Sequence, residues 1–314
     1  MSGHGHDHRP SAQADRRWLL AALGVIVVFM AAEIVAGLLA HSLALLADAG
    51  HMLTDAAALA LAVIASRIAE RPARGAYTYG FARVDALSGQ VNGITLLLLA
   101  VWFAFEGIRR LVHPSGVHGG VVAVVAVIGA AVNLVATYLA GRADRDGLNV
   151  RGVLAHLVTD VWAFAATFVA GLVIVWTGWR QADPVASLLV AALMAWTGWR
   201  LVHEAGRVFL EAAPPGVDPQ ALGAELAAAD GVAELHDLHV WVLGSSEAAL
   251  SAHVLVDLEY DCHEVAGRLR TMLGRDHGIG HVTLQVDHLD AATHVAEHCT
   301  DAHGTVHVAP AATD

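Results

Sequence analysis

SLALLADAGHMLTD at residues 42–55 and GVLAHLVTDVWAF at residues 152–164 share one anomaly. Each is an apolar stretch of membrane-crossing character that holds a histidine and, four residues later, an aspartate: His51 with Asp55, and His156 with Asp160. Residues four apart on a helix lie on one face a turn apart, so each stretch offers an imidazole and a carboxylate side by side. An ionisable group in hydrocarbon is costly unless a counter-charge meets it, which makes such groups functional by default. Brought together, the two pairs supply two nitrogens and two oxygens. That donor set suits tetrahedral Zn²⁺, and its two carboxylates neutralise the ion.

The composition around these stretches points to a membrane. The 314 residues are 56% hydrophobic and only 15% charged, with a mean hydropathy of +0.55. A soluble domain is about a quarter charged, so the excess apolar length belongs in lipid and a wholly soluble enzyme is excluded. Six stretches before Pro214 reach the roughly 20 residues needed to cross a bilayer. They run from Trp18 to Leu39, Ser42 to Ile68, Val84 to Leu111, Val117 to Ala140, Val150 to Trp176 and Asp183 to Phe209. The first is too long for a signal peptide and lacks its cleavage site. Two cysteines, Cys262 and Cys299, are too few for a disulfide framework or a four-thiolate zinc site.

Every cation is an arginine, 18 against 30 acids, and the imbalance is local. From Pro214 onward there are 16 acids and three arginines. An acidic region repels phosphate, which argues against nucleic acid and for metal cations as partners. With the N-terminus cytoplasmic, twelve arginines fall on the inner side and three, Arg109, Arg110 and Arg180, on the outer. The positive-inside rule then puts both termini in the cytoplasm.

Four segments follow: a histidine-containing cytoplasmic N-terminal segment, 1–17; an all-α six-helix transmembrane domain, 18–213; a small cytoplasmic α+β metal-binding domain, 214–290; and a flexible histidine-rich tail, 291–314. The break is marked by Ala212-Ala213-Pro214-Pro215-Gly216. Beyond it the pattern reads αββαβ: a helix from Pro219, strands from Ala233 and Ala248 joined at Gly244-Ser245-Ser246, a helix from Cys262 and a strand from His281. This suits a two-layer, ferredoxin-like arrangement with helices on one face of a sheet. Asp48 shares the face of His51 and is read either as an acid near the metal or as a hydrogen-bonding group between helices. Glu33, Asn92 and Asn133 are read either as lining a water-filled path or as tying helices together.

Four motifs together, SLALLADAGHMLTD, the paired HxxxD, TYGFARVDAL at 78–87 and HDLHVW at 236–241, resemble the cation diffusion facilitators, proton-coupled exporters of divalent metal. The likeness runs from about Trp18 to Leu289. It implies six membrane helices, a cytoplasmic metallochaperone-like domain, a homodimer in a bacterial inner membrane, and zinc export against proton entry, with zinc as substrate and regulatory ion and no prosthetic group. Within that family a His-Asp pair in both helices goes with zinc. The family's cytoplasmic metal positions fall on His236, His253 and Asp287, with His263 as a bridge, and the strands are expected to gather the first three at a sheet edge. This sequence departs from the family pattern in three places. Tyr77 and Phe81 stand where family members often have histidine in the loop between the second and third spans, the loop 141–149 has no histidine, and Gln285 replaces a family histidine. Histidines sit instead at the ends: His4, His6 and His8, then His294, His298, His303 and His307.

Two rival classes are weighed. An intramembrane zinc hydrolase needs an open coordination position and a general base, and no HExxH motif or glutamate accompanies the paired sites. A membrane-anchored metal sensor, or a carrier of Cd²⁺, Co²⁺ or Ni²⁺, is the alternative.

Overall fold

The computed structural model describes residues 12–69, 71–140, 148–243, 248–288 and 304–308. Six long helices occupy the stretches read as spans: α1 (Ala12–Ala40), α2 (Leu43–Ala69), α3 (Val84–Val112), α4 (Gly119–Ala140), α5 (Leu148–Thr177) and α6 (Ala182–Phe209). Five carry a window long and apolar enough to cross a membrane: Leu23–Ala40, Val84–Val112, Gly119–Ala136, Asp160–Thr177 and Ala182–Phe209. In α2 the apolar part of the described residues is shorter, Leu43–Thr54. This helix carries Asp48, His51, Asp55 and Arg67, so polar side chains interrupt its apolar run. The helices end where local chemistry stops them. His41 turns the chain between α1 and α2 at φ +56°, and Gly178 closes α5 at φ +72°, a conformation glycine adopts without a Cβ penalty.

The described chain divides into two compact units, one up to Leu61 with Val91–Val202, the other Ala62–Gln90 with the described residues from His203 onward. In the first unit the helices pack through small residues, as membrane helices do when close backbone approach replaces hydrophobic drive. A Cβ on Gly171 of α5 would stand 2.6 Å from the Ala123 nitrogen of α4, and one on Gly119 would stand 2.7 Å from Ile174. Gly93 of α3 and Gly198 of α6 meet reciprocally, each Cβ position 2.9 Å from the other's carbonyl oxygen. Phe29 of α1 and Phe164 of α5 interlock edge to face at 6.0 Å. Leu98, Val101, Trp102 and Phe105 of α3 stay exposed, an outer face suited to lipid.

The second unit contains the C-terminal α+β domain: α7 (Pro219–Ala227), β1 (Val232–Val242), β2 (Ala248–Val256), α8 (Cys262–Asp276), β3 (His281–His288) and β4 (His307–Val308). Asp218 and Asp261 cap the two helices, each accepting backbone N–H bonds. The sheet order is β3-β2-β1-β4, with β1 antiparallel to β2 and β4, and β2 parallel to β3 through the α8 crossover. Leu250, Ala252, Val254 and Val256 of β2 join Leu222 and Leu226 of α7 and Val265, Leu269 and Leu273 of α8 in one core. Alternation therefore turns Ser251, His253 and Leu255 to the opposite face.

One feature lies outside the αββαβ pattern. Glu234 and Leu235 of β1 pair with Val308 and His307, so part of the expected flexible tail forms a fourth strand. His307 sits over Gly223, where a Cβ would lie 2.2 Å from its Nε2, and Gln220 donates to Thr305 at 2.6 Å. A two-residue strand has no alternation for a sequence reading to detect. The remainder of the tail, including His294, His298 and His303, and the N-terminal His4, His6 and His8, lie outside the described residues.

Candidate metal centre

The helix pair carrying the two HxxxD motifs brings His51 of α2 against Asp160 of α5, with Nε2 3.7 Å from Oδ1 and both side chains largely buried. The separation is longer than a hydrogen bond. Two ligand atoms at roughly 2.0–2.1 Å from a tetrahedral Zn²⁺ stand about 3.4 Å apart, close to what is found. Asp55 and His156 belong to the same helices, one turn along from their partners, and their side chains lie outside the described residues. Of the four expected intramembrane ligands, the structure thus places two, one from each helix, facing each other.

Local packing holds this pair. Gly50, beside His51, lets Phe103 of α3 close on α2, since a Cβ there would stand 3.0 Å from that ring. Thr54 donates to the His51 carbonyl at 2.7 Å, and Thr54 and His51 are both buried. Asp48, one turn before His51, is also buried, and Glu33 of α1 faces it. Asn133 of α4 and Thr167 of α5 are further buried polar groups in the same unit.

A second polar group lies on the sheet face turned away from α7 and α8. His236 of β1 is the direct cross-strand partner of His253 of β2, their rings T-shaped at 4.5 Å. His253 Nε2 lies 2.8 Å from Asp287 Oδ2, and the Gln285 amide donates to the same oxygen at 3.0 Å. The sequence leads one to expect this set at a sheet edge. It runs across the inner strands β1 and β2 to the edge strand β3, where Asp287 and Gln285 stand. Leu235 and His236 are both buried, on opposite faces of β1, and a bulge between His236 and His239, with Asp237 at φ +51°, breaks the alternation just beyond them. Glu234, which is not among the ligands expected from sequence, contacts His236 Nδ1 at 2.9 Å. The one signal for it is its spacing of two from His236 on a strand.

His263 is not gathered with that set within this chain. It stands exposed at the start of α8, where Asp261, Cys262 and His263 bring their ligand atoms within 4.8 Å of one another. The backbone N–H groups of His263 and Glu264 hold the Asp261 carboxyl below its ordinary value. In the loop between α2 and α3, Tyr77 and Phe81 stack at 4.6 Å, an aromatic pair at the positions where family members often carry histidine.

Comparison with known proteins places these features in context. Residues 19–210 match the cation efflux transmembrane domain, and residues 214–289 match the cation efflux protein cytoplasmic domain. The chain is 34% identical over 288 residues to a cadmium, cobalt and zinc/H⁺-K⁺ antiporter of Bacillus velezensis, covering 90% of this chain and 92% of that protein. It is 35% identical over 290 residues to the zinc transporter ZitB of Escherichia coli, covering 91% and 92%. It is 34% identical over 299 residues to the metal cation efflux system protein CzcD of Cupriavidus metallidurans, covering 93% and 94%.

Proposed function

Given that this chain belongs to the cation efflux family, a family of multi-pass membrane transporters rather than enzymes, we propose that it exports Zn²⁺ from the cytoplasm in exchange for protons. The ion is held by His51, Asp55, His156 and Asp160 as the chain crosses the membrane six times with both termini inside. The single observation that carries this reading is the approach of His51 to Asp160, from two different helices, at a spacing a tetrahedral ion fits.

The mechanism follows from what these side chains must do to bind metal. Zinc needs a neutral imidazole and an ionised carboxylate, so loading from the cytoplasm displaces protons from the site. Rocking of the helices then opens the site to the other side, where protons reclaim the ligands and the metal leaves. One site contested by two kinds of cation is the coupling. The B. velezensis relative's name adds Cd²⁺ and Co²⁺ as alternative cargo for this donor set.

The cytoplasmic domain acts as a regulatory metal site. His236, His253 and Asp287 supply the ligands, and His263, exposed at the start of α8, reaches the partner subunit of a homodimer. The 16 acids from Pro214 onward repel a second copy until metal neutralises them, so filling favours association in a bacterial inner membrane.

Inside-out vesicles test the transport reading. An acid-inside gradient should drive zinc uptake by the wild type and not by His156→Ala. Uptake that ignores the gradient would remove the antiport. The regulatory site is tested separately, in a His51→Ala background that silences the membrane site. Adding His253→Ala there should lower the number of Zn²⁺ ions bound per chain, counted by calorimetry. An unchanged count would detach His253 from metal.

A further inference from the structure

The first turn of α2 is capped from another helix. Ser42 accepts the Leu45 N–H at 3.2 Å, as an N-cap serine does. Its hydroxyl donates in turn to Asp183, the second residue of α6, and the same carboxylate accepts the Leu43 N–H at 2.7 Å and the Ala44 N–H at 3.4 Å. Ser42, Leu43, Ala44 and Asp183 are all fully or almost fully buried. On the other side of the turn, Arg110 of α3 donates to the His41 carbonyl at 2.8 Å and to Glu106 at 3.1 Å. Two donors of the first turn, Leu43 and Ala44, are therefore satisfied by α6 and a third, Leu45, by Ser42, and the loop before it is held by α3. In surroundings poor in water such bonds are strong and costly to break.

We infer that Asp183 is a positioning residue for transport: by capping α2 from α6, it fixes the height and rotation at which α2 presents His51 to Asp160. The inference rests on the transport role given to that pair. His51 lies nine residues beyond Ser42, about 13 Å along the same helix. A helix carries a twist at its end undiminished over that length. Rotating α2 by about 20° would move an imidazole nitrogen some 7 Å from its axis by about 2 Å, ten times the tolerance of a metal–ligand distance. A capping residue on α2 itself would satisfy the same N–H groups without fixing that rotation. Asp183 does both because it belongs to a different helix.

The test uses full-length protein in proteoliposomes with an imposed pH gradient, measuring initial zinc flux against zinc concentration. Asp183→Asn keeps the shape but sets an amide against backbone donors, and it should raise the apparent KM by about tenfold, the effect typical of residues that orient a metal ligand. The double variant Ser42→Asp with Asp183→Asn restores a cap within α2 while leaving α6 untied. It should regain the wild-type melting temperature yet keep the raised KM. A wild-type KM in either variant would overturn the inference, and the double variant decides the matter if Asp183→Asn alone does not fold. His51→Ala run in parallel separates the two claims: undiminished flux there defeats the transport site and the positioning role with it, whereas lost flux in His51→Ala beside a wild-type KM in the Asp183 variants defeats the positioning role alone.

Discussion

Asp160→Ala is expected to reduce zinc flux at least about a hundredfold, beyond the loss typical of residues that only orient a ligand. The substitution removes an oxygen donor and one of the charges that neutralise the ion, so a dication at this depth faces apolar surroundings with an incomplete cage. The protein should still fold. Taking a carboxylate out of a buried position relieves a desolvation cost, and Ala163 and Phe164, the next buried positions of α5, are untouched. The measurement is proton-driven zinc flux in proteoliposomes, with elution of the purified protein as the folding control. Normal flux from correctly folded Asp160→Ala protein would show that its 3.7 Å approach to His51 is incidental to transport.

Gly171→Val should do the reverse, leaving every ligand in place and disrupting the scaffold. Its Cβ would meet backbone atoms of α4, 2.6 Å from the Ala123 nitrogen and 2.9 Å from its Cα, and backbone cannot swing aside as a side chain can. Helices α4 and α5 must separate, at a cost of about 3 kcal/mol. The expected result is a lowered melting temperature in detergent and loss of a monodisperse elution peak. Gly120→Ala is the matched control, because nothing lies within 4 Å of a Cβ there. Equal melting of the two variants would mean that the close α4–α5 approach does not hold the unit together.

Local pattern carried a large part of the architecture. Helix ends agree with the hydropathy reading closely, as at Val84–Val112 against the expected Val84 to Leu111, because apolar length and breakers such as Gly178 are properties of adjacent residues. The C-terminal elements were legible for the same reason: Leu250, Ala252, Val254 and Val256 alternate cleanly into one core. The strand β4 was not, since two residues have no period and their pairing with Glu234 and Leu235 spans more than 70 positions of chain.

The candidate site divides along the same line. From residue types and spacing alone, the sequence determined that α2 and α5 each carry an imidazole and a carboxylate one turn apart, and a shared cation is the expectation that follows. Only the tertiary structure decided that His51 faces Asp160 across the gap between two helices, that His236 and His253 meet ring to ring on the sheet face turned away from α7 and α8, and that Asp183 caps a helix not its own. Spacing along a chain sets what one helix or strand presents. Which presented groups meet is set by the packing of helix on helix and strand on strand, through contacts such as Gly50 under Phe103 that have no local signature.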